Sequence, residues 1–302
     1  RPNHVYAGVG RPRWNKGGAG AIYCSNDTGL TWRLVSSGQL PNDAIVSDIE
    51  LKPRESQTIL VATQRGIFRS DNSGQTWTTS NQGLPHGNVE ELAFAACSPD
   101  TVYASLPTTV RDKEAFDGGV YRSDDAGKTW RAVNGKGMPR RIGGKGQSPY
   151  MTSQFKELAV DPRDPDVVYA GIQSWVSAGV YKTVDGGQHW IQTTRRGSLD
   201  EANMDYGWID FWGPAVECLS VSAVRSSRIA FATSGHVFTS DDGGGTWTQR
   251  DCVPRPGGRV SGNGPEVSRV NTIVPDPTTH DRAGRSCSRN GLTARGHAGN
   301  SD

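Results

Sequence analysis

The chain has 302 residues, 34% of them hydrophobic, and its 33 Lys and Arg against 31 Asp and Glu leave a net charge of +2. So even a balance excludes a whole-protein field that would draw in nucleic acid, and no run of 18 or more apolar residues marks a membrane-inserted helix. The 38 glycines and 17 prolines suit many short strands and tight turns.

In chain order, the first predicted strands are "HVYAG" from His4, "AIYCS" from Ala21 and "TWRLV" from Thr31. Next comes a complete unit. "IVSDIEL" (45–51) alternates apolar and polar residues, and "TILVAT" (58–63), "GIFRS" (66–70) and "TWTTS" (76–80) follow, separated by turn residues. We label these strands A to D. The set recurs as "VEELAF", "TVYAS", "GVYRS", "TWRAV", then as "FKELAV", "VVYAG", "GVYKT", "HWIQT", and then as "AVECLSV", "IAFAT", "HVFTS", "TWTQR".

Repeated four-stranded antiparallel sheets, none able to bury both faces alone, predict an all-β propeller with five visible blades, as a whole or as part of a larger array. The first unit lacks strand A, and "VSRVNTIV" (267–274) reads as a strand A without a blade. Two endings are open. Residues 267–274 would close on the N-terminal blade, or a sixth blade would begin there. The propeller is expected over 1–277, with an irregular, disordered tail over 278–302.

Between strands C and D one phrase returns five times, about 45 to 60 residues apart, a period typical of propellers and solenoids. "SNDTGLTW" ends at Trp32, "SDNSGQTW" at Trp77, "SDDAGKTW" at Trp130, "TVDGGQHW" at Trp190 and "SDDGGGTW" at Trp247. Its chemistry is structural. Gly supplies a positive-φ turn position, and Asp27, Asn72, Asp125, Asp185 and Asp242 can accept turn N–H groups. The Trp can bury a large ring whose N–H needs a partner. A calcium loop of the EF-hand kind would need a distal bidentate Glu, and none follows. No metal or cofactor is expected.

The pattern S-x-D-x-G-x-T-W resembles the Asp-box, or bacterial neuraminidase repeat, of a β-propeller superfamily. The resemblance spans residues 3 to about 274, with departures at Asn72, Thr183 and His189. Propellers of this kind include sialidases, xyloglucan-type endoglucanases, sortilin-like receptors and photosystem assembly factors, so the fold does not select a function. The Arg-Ile-Pro motif of sialidases is absent, which makes sialidase activity unexpected. The stretches "DPRDPDVVYAG" and "YGWIDFWGPAVECLSV" look nearer to the xyloglucan-hydrolase and sortilin-like repeats. Those hydrolases work in a cleft between two propellers, and this chain holds at most one.

In an up-and-down sheet the long B–C and D–A connections fall on the face opposite the C–D turns, and binding residues concentrate on such loops. That face collects the four Trp outside the phrase: Trp14, Trp175, Trp208 and Trp212. With Tyr206 and the basic pair Arg140 and Arg141, these are the candidate ligand-binding residues. Asp205 and Asp210, bracketing Trp208, are the candidate acid pair for glycoside hydrolysis. No serine or cysteine nucleophile sits in a recognisable triad, and no phosphate loop is present. Two functions follow. One is a secreted or cell-envelope glycan-related propeller, binding carbohydrate or hydrolysing it. The other is a non-catalytic protein-interaction or assembly scaffold.

Overall fold

The computed structural model describes residues 4–9, 20–36, 38–41, 43–111, 114–116, 118–139, 154–173, 178–194, 204–205, 215–233, 236–255, 259–262, 270–275 and 283–287. Regular structure among them is entirely β, arranged as propeller blades. Blade 1 has three strands, Val5–Val9, Ala21–Ser25 and Arg33–Leu34. Blades 2, 3 and 4 each have the full A-B-C-D order. Their inner A strands are Val46–Leu51, Glu91–Ala95 and Gln154–Val160, and their outer D strands are Thr78–Thr79, Arg131–Ala132 and Ile191–Gln192. Blade 5 runs from Cys218–Val221 outward to Trp247–Gln249, where Met204–Asp205 adds a parallel fifth strand at the rim.

The D strands are shorter than the sequence pattern predicts. In blades 2, 3 and 4 the Trp of the predicted strand belongs to the turn and to the core between blades; in blade 1 Trp32 belongs to the turn and is exposed, and in blade 5 Trp247 begins the strand. One predicted loop has structure of its own: the B–C insertion of blade 3 folds back as a hairpin of Thr109–Arg111 and Glu114–Phe116.

The C-terminal strands differ from both expectations of closure and irregularity. Val270–Pro275 pairs with Ala283–Cys287 and lies against the two inner strands of blade 5, while among the described residues Val5–Val9 pairs with Ala21–Ser25 alone. The reason is visible in the other blades. Each strand A seats on strands A or B of the blade before it, and Val270–Pro275 obeys the same rule. The pair has the form of an A–B hairpin opening a sixth blade, so the tail expected to be irregular contains a strand.

The core is a series of sandwiches between neighbouring blades. Ile22, Val35 and Leu40 of blade 1 pack on Ile59, Val61, Phe68 and Trp77 of blade 2. Leu60, Ala62 and Ile67 of blade 2 then pack on Val102, Ala104, Tyr121 and Trp130 of blade 3. Alternate residues of one strand serve opposite neighbours because β side chains alternate between faces.

The recurring phrase closes every C–D turn with one network. In blade 1 the Ser25 hydroxyl donates to Asp27 Oδ1 at 2.7 Å and accepts Gly29 N–H at 2.8 Å. Asp27 accepts the Thr31 amide at 2.8 Å and its hydroxyl at 2.5 Å. The departures keep the geometry. Asn72 donates its side-chain amide to Thr76 Oγ1 at 2.8 Å, and His189 Nδ1 lies 2.7 Å from Asp185 Oδ2. In blades 2, 3 and 4 the Trp partner is on the blade before. The indoles of Trp77, Trp130 and Trp190 donate to the carbonyls of Val35, Ser80 and Val133 at 2.8–2.9 Å, each acceptor three residues beyond the preceding blade's own Trp.

Two further stitches repeat with the blades. Four residues past each Trp, a polar side chain accepts the N–H that begins strand C. Ser36, Asn81, Asn134, Thr194 and Asp251 serve Ile22, Ile67, Val120, Val180 and Val237 in turn. A strand-C cation reaches forward to the next blade: Arg69 to the Ala126 carbonyl, Arg122 to Asp166, and Lys182 to the Gly243 carbonyl.

Candidate functional site

The inner strands carry a row of acids around the propeller axis. Register aligns Ile49, Leu92, Leu158 and Leu219, which pair with Val61, Ala104, Ala170 and Phe231 of their own blades. The residue just before each is Asp48, Glu91, Glu157 and Cys218, with Glu50 and Glu217 one step away.

These acids cross the blade boundaries. Asp48 accepts the Leu92 amide of the next blade at 2.9 Å, and Glu91 accepts the Leu158 amide of the blade after that. Each is half-buried among the neighbouring strands.

Enclosure and like charge move their protons. Burial pushes the Glu50 carboxyl up to about 8, with Asp48 adding to the shift. Burial also brings Glu157 to about 8 despite Lys156 beside it, and Glu217 reinforces the rise. Glu91 lies well above the usual carboxylate range, through burial first and then Glu157 and Asp48. An apolar surround and a negative neighbour both disfavour the ionised form. At neutral pH, Glu50 and Glu157 are therefore largely neutral acids able to donate hydrogen bonds. Among the described residues, no group of three or more His, Cys, Asp or Glu is arranged to hold a metal ion.

This row was missed in the sequence because each acid reads as the polar half of an alternating strand. The signal was present in "SDIEL", "VEELAF" and "FKELAV", which place an acid at a fixed register in three inner strands, with Glu217 of "VECLSV" one residue earlier in the fourth.

Of the candidate ligand-binding residues and the candidate acid pair, only Asp205 is described. It lies in the added rim strand at the register position of Thr248. Trp14, Arg140, Arg141, Trp175, Tyr206, Trp208, Asp210 and Trp212 lie outside the described residues. A cavity of about 540 Å³ opens between blades 3 and 4, lined by Tyr121, Arg131, Asn134, Met138, Phe155 and Gln188 among others.

A family model described as the DUF6242 beta propeller domain matches residues 18–207, more than half of the chain. The chain belongs to that family. A xyloglucanase of a Paenibacillus species is 28% identical over 242 residues, covering 72% of this chain and 22% of the relative. The xyloglucanase Xgh74A of Acetivibrio thermocellus is 22% identical over 333 residues, covering 80% and 39%. The chain thus spans well under half the length of these curated relatives.

Among solved structures, a GH74 enzyme from Niastella koreensis aligns with a TM-score of 0.58 at 18% identity, covering 89% of this chain and 39% of that one. PorZ, a surface component of the type-IX secretion system of Porphyromonas gingivalis, aligns equally well, at 0.58 and 15%, over 94% and 38%. Likeness at such identity shows the fold, and this family member is a β-propeller whose homologues include GH74 xyloglucanases.

Proposed function

We propose that this propeller is a carbohydrate-handling module of an extracellular or cell-envelope protein, with a β-glucan of the xyloglucan kind as its ligand class. The observation that carries the reading is the 28% identity to a xyloglucanase over 72% of the chain. The ligand site falls on the face of the B–C and D–A connections, because the C–D turns are occupied in bonding blade to blade. The Trp-rich insertions supply flat rings suited to stacking on sugars: Trp14, Trp175, Trp208 and Trp212, with Tyr206, Arg140 and Arg141 as polar partners.

Should the module also hydrolyse, Asp205 and Asp210 are the acid pair, one donating a proton to the leaving oxygen and the other acting as base or nucleophile. The test is retention on immobilised xyloglucan, run beside reducing-sugar release on the same substrate. Retention lost in Trp208→Ala with Trp212→Ala supports the reading. Release lost in Asp205→Asn or Asp210→Asn places the chemistry there. No retention on xyloglucan or any other β-glucan overturns the reading and leaves the fold to a protein-interaction role.

A further inference from the structure

The interfaces between successive blades draw on one set of positions in the later blade: alternate strand-B residues, the strand-C aromatic and the turn Trp. Blade 2 presents Ile59, Val61, Phe68 and Trp77 to blade 1, and blade 3 presents Val102, Ala104, Tyr121 and Trp130 to blade 2. Blade 4 presents Val168, Ala170, Tyr181 and Trp190 to blade 3 in the same way.

Strand register identifies the counterparts in blade 1. Val5 pairs with Ser25 as Ile59 pairs with Ser70, so Val5 and Val9 stand where Ile59 and Thr63 stand, and Tyr23 stands at the Phe68 place. Here the set has no partner blade among the described residues. Val5, Val9 and Trp32 are 38%, 43% and 44% exposed, against 0% for Ile59 and Thr63 and 7% for Trp77. Leu34, cross-strand from Tyr23 on the same face, is also exposed. The Trp32 indole folds back on the Gly29 carbonyl of its own turn at 3.0 Å, where three of its four counterparts reach across to another blade.

We propose that this face of blade 1 is a blade-docking surface and that its occupant is a further blade of the same repeat. The argument is continuity with the interfaces already formed. An apolar patch alone would suit many partners. This patch also carries an indole donor at the place where Trp77, Trp130 and Trp190 each meet a D-strand carbonyl. The occupant must therefore offer apolar strand-B and strand-C side chains, as Ile22, Leu60 and Ala62 do, and a free carbonyl three residues beyond its own turn Trp, as Val35, Ser80 and Val133 do. On docking, Trp32 exchanges the Gly29 carbonyl for that acceptor.

The test compares acrylamide quenching of Trp32, read as the difference between the chain and its Trp32→Phe variant, in two proteins. One is the 302-residue chain. The other carries a second copy of residues 45–88 joined ahead of residue 1, so that the Ser80 carbonyl of the copy faces Trp32. A companion fusion carrying residues 89–138, which offers the Val133 carbonyl, guards against one graft failing to fold.

The expected result is a quenchable Trp32 in the chain and a severalfold loss of quenching in at least one fusion, with a higher melting temperature that Trp32→Phe lowers again. Trp32 equally quenchable in both fusions, with the added strands present by circular dichroism, overturns the proposal. Trp32 already shielded in the dilute monomer overturns it by giving the face to the chain's own residues. Concentration-dependent association of the chain, abolished by Trp32→Ser, overturns it in favour of a second copy.

Discussion

Replacing Trp130 by Phe isolates one bond between blades. The substitution keeps an aromatic ring in a core position only 5% exposed and deletes the indole N–H that reaches the Ser80 carbonyl at 2.8 Å. Ser80 is itself buried, so its carbonyl loses this donor where water has little access. Leaving a buried acceptor unsatisfied costs about 1–3 kcal/mol, and the smaller ring adds roughly 1–2 kcal/mol for deleted buried atoms.

Trp247→Phe is the internal control. Trp247 is 1% exposed, and its N–H has no partner among the described residues. It should lose only the packing contribution. The expected gap between the two variants is thus about 1–3 kcal/mol, or several degrees of melting temperature at roughly 2–4 °C per kcal/mol for a domain of this order. Urea unfolding followed by far-UV circular dichroism measures both. An equal or larger loss for Trp247→Phe would refute the assignment of stability to the bond between blades.

The axial acids set a pH dependence of definite sign. Glu50 and Glu157 titrate near 8 when folded and near 4.3 when unfolded, so their burial is harmless below that lower value. It costs stability increasingly as pH rises through the interval to about 8. The urea midpoint should fall across this range, and a double Glu50→Gln and Glu157→Gln variant should flatten the fall. The turn carboxylates act in the opposite sense. The Thr31 hydroxyl and amide hold Asp27 down to about 2, and the His189 amide and ring do the same for Asp185. Their contribution is present above pH 4 and fades as pH drops toward 2, which Asp27→Asn with Asp185→Asn should shift in an acid melt. Gly83→Ala should destabilise by about 2–4 kcal/mol, since Gly83 has φ 96° and an added Cβ would lie 1.9 Å from the Trp130 carbonyl. Thermal melting checks it, and a loss under 0.5 kcal/mol would show that the turn yields easily.

The repeat was legible because turn chemistry and alternation are local. Ser25, Asp27, Gly29 and Thr31 bond within seven residues of chain, so their spacing alone predicts the turn. What escaped is non-local. Nothing in "GKTW" says that Trp130 meets Ser80, fifty residues back. Nor does local spacing say that Asn81 and Asn134 each cap a strand fourteen residues upstream. Asp48 and Glu91 were passed over because acids on an alternating strand ordinarily face solvent, whereas here that side is the axis. Ala283–Cys287 carries Gly and Ser in place of β-branched residues and shows no strand pattern. For the candidate loops, the sequence argument rests on residue type and position, with Asp205 alone placed on a strand.

The backward reach of the indoles gives assembly a direction in time. Trp77, Trp130 and Trp190 each grip a carbonyl made earlier in synthesis, so blades 2, 3 and 4 find the acceptor for their indole already in place as they emerge from the ribosome. Growth would then run from the amino end as a polymer extends from a primer. A lesson for circular permutants follows: cutting between blades 2 and 3 and rejoining the ends would oblige blade 3 to be born before its template, slowing refolding more than it weakens the folded state.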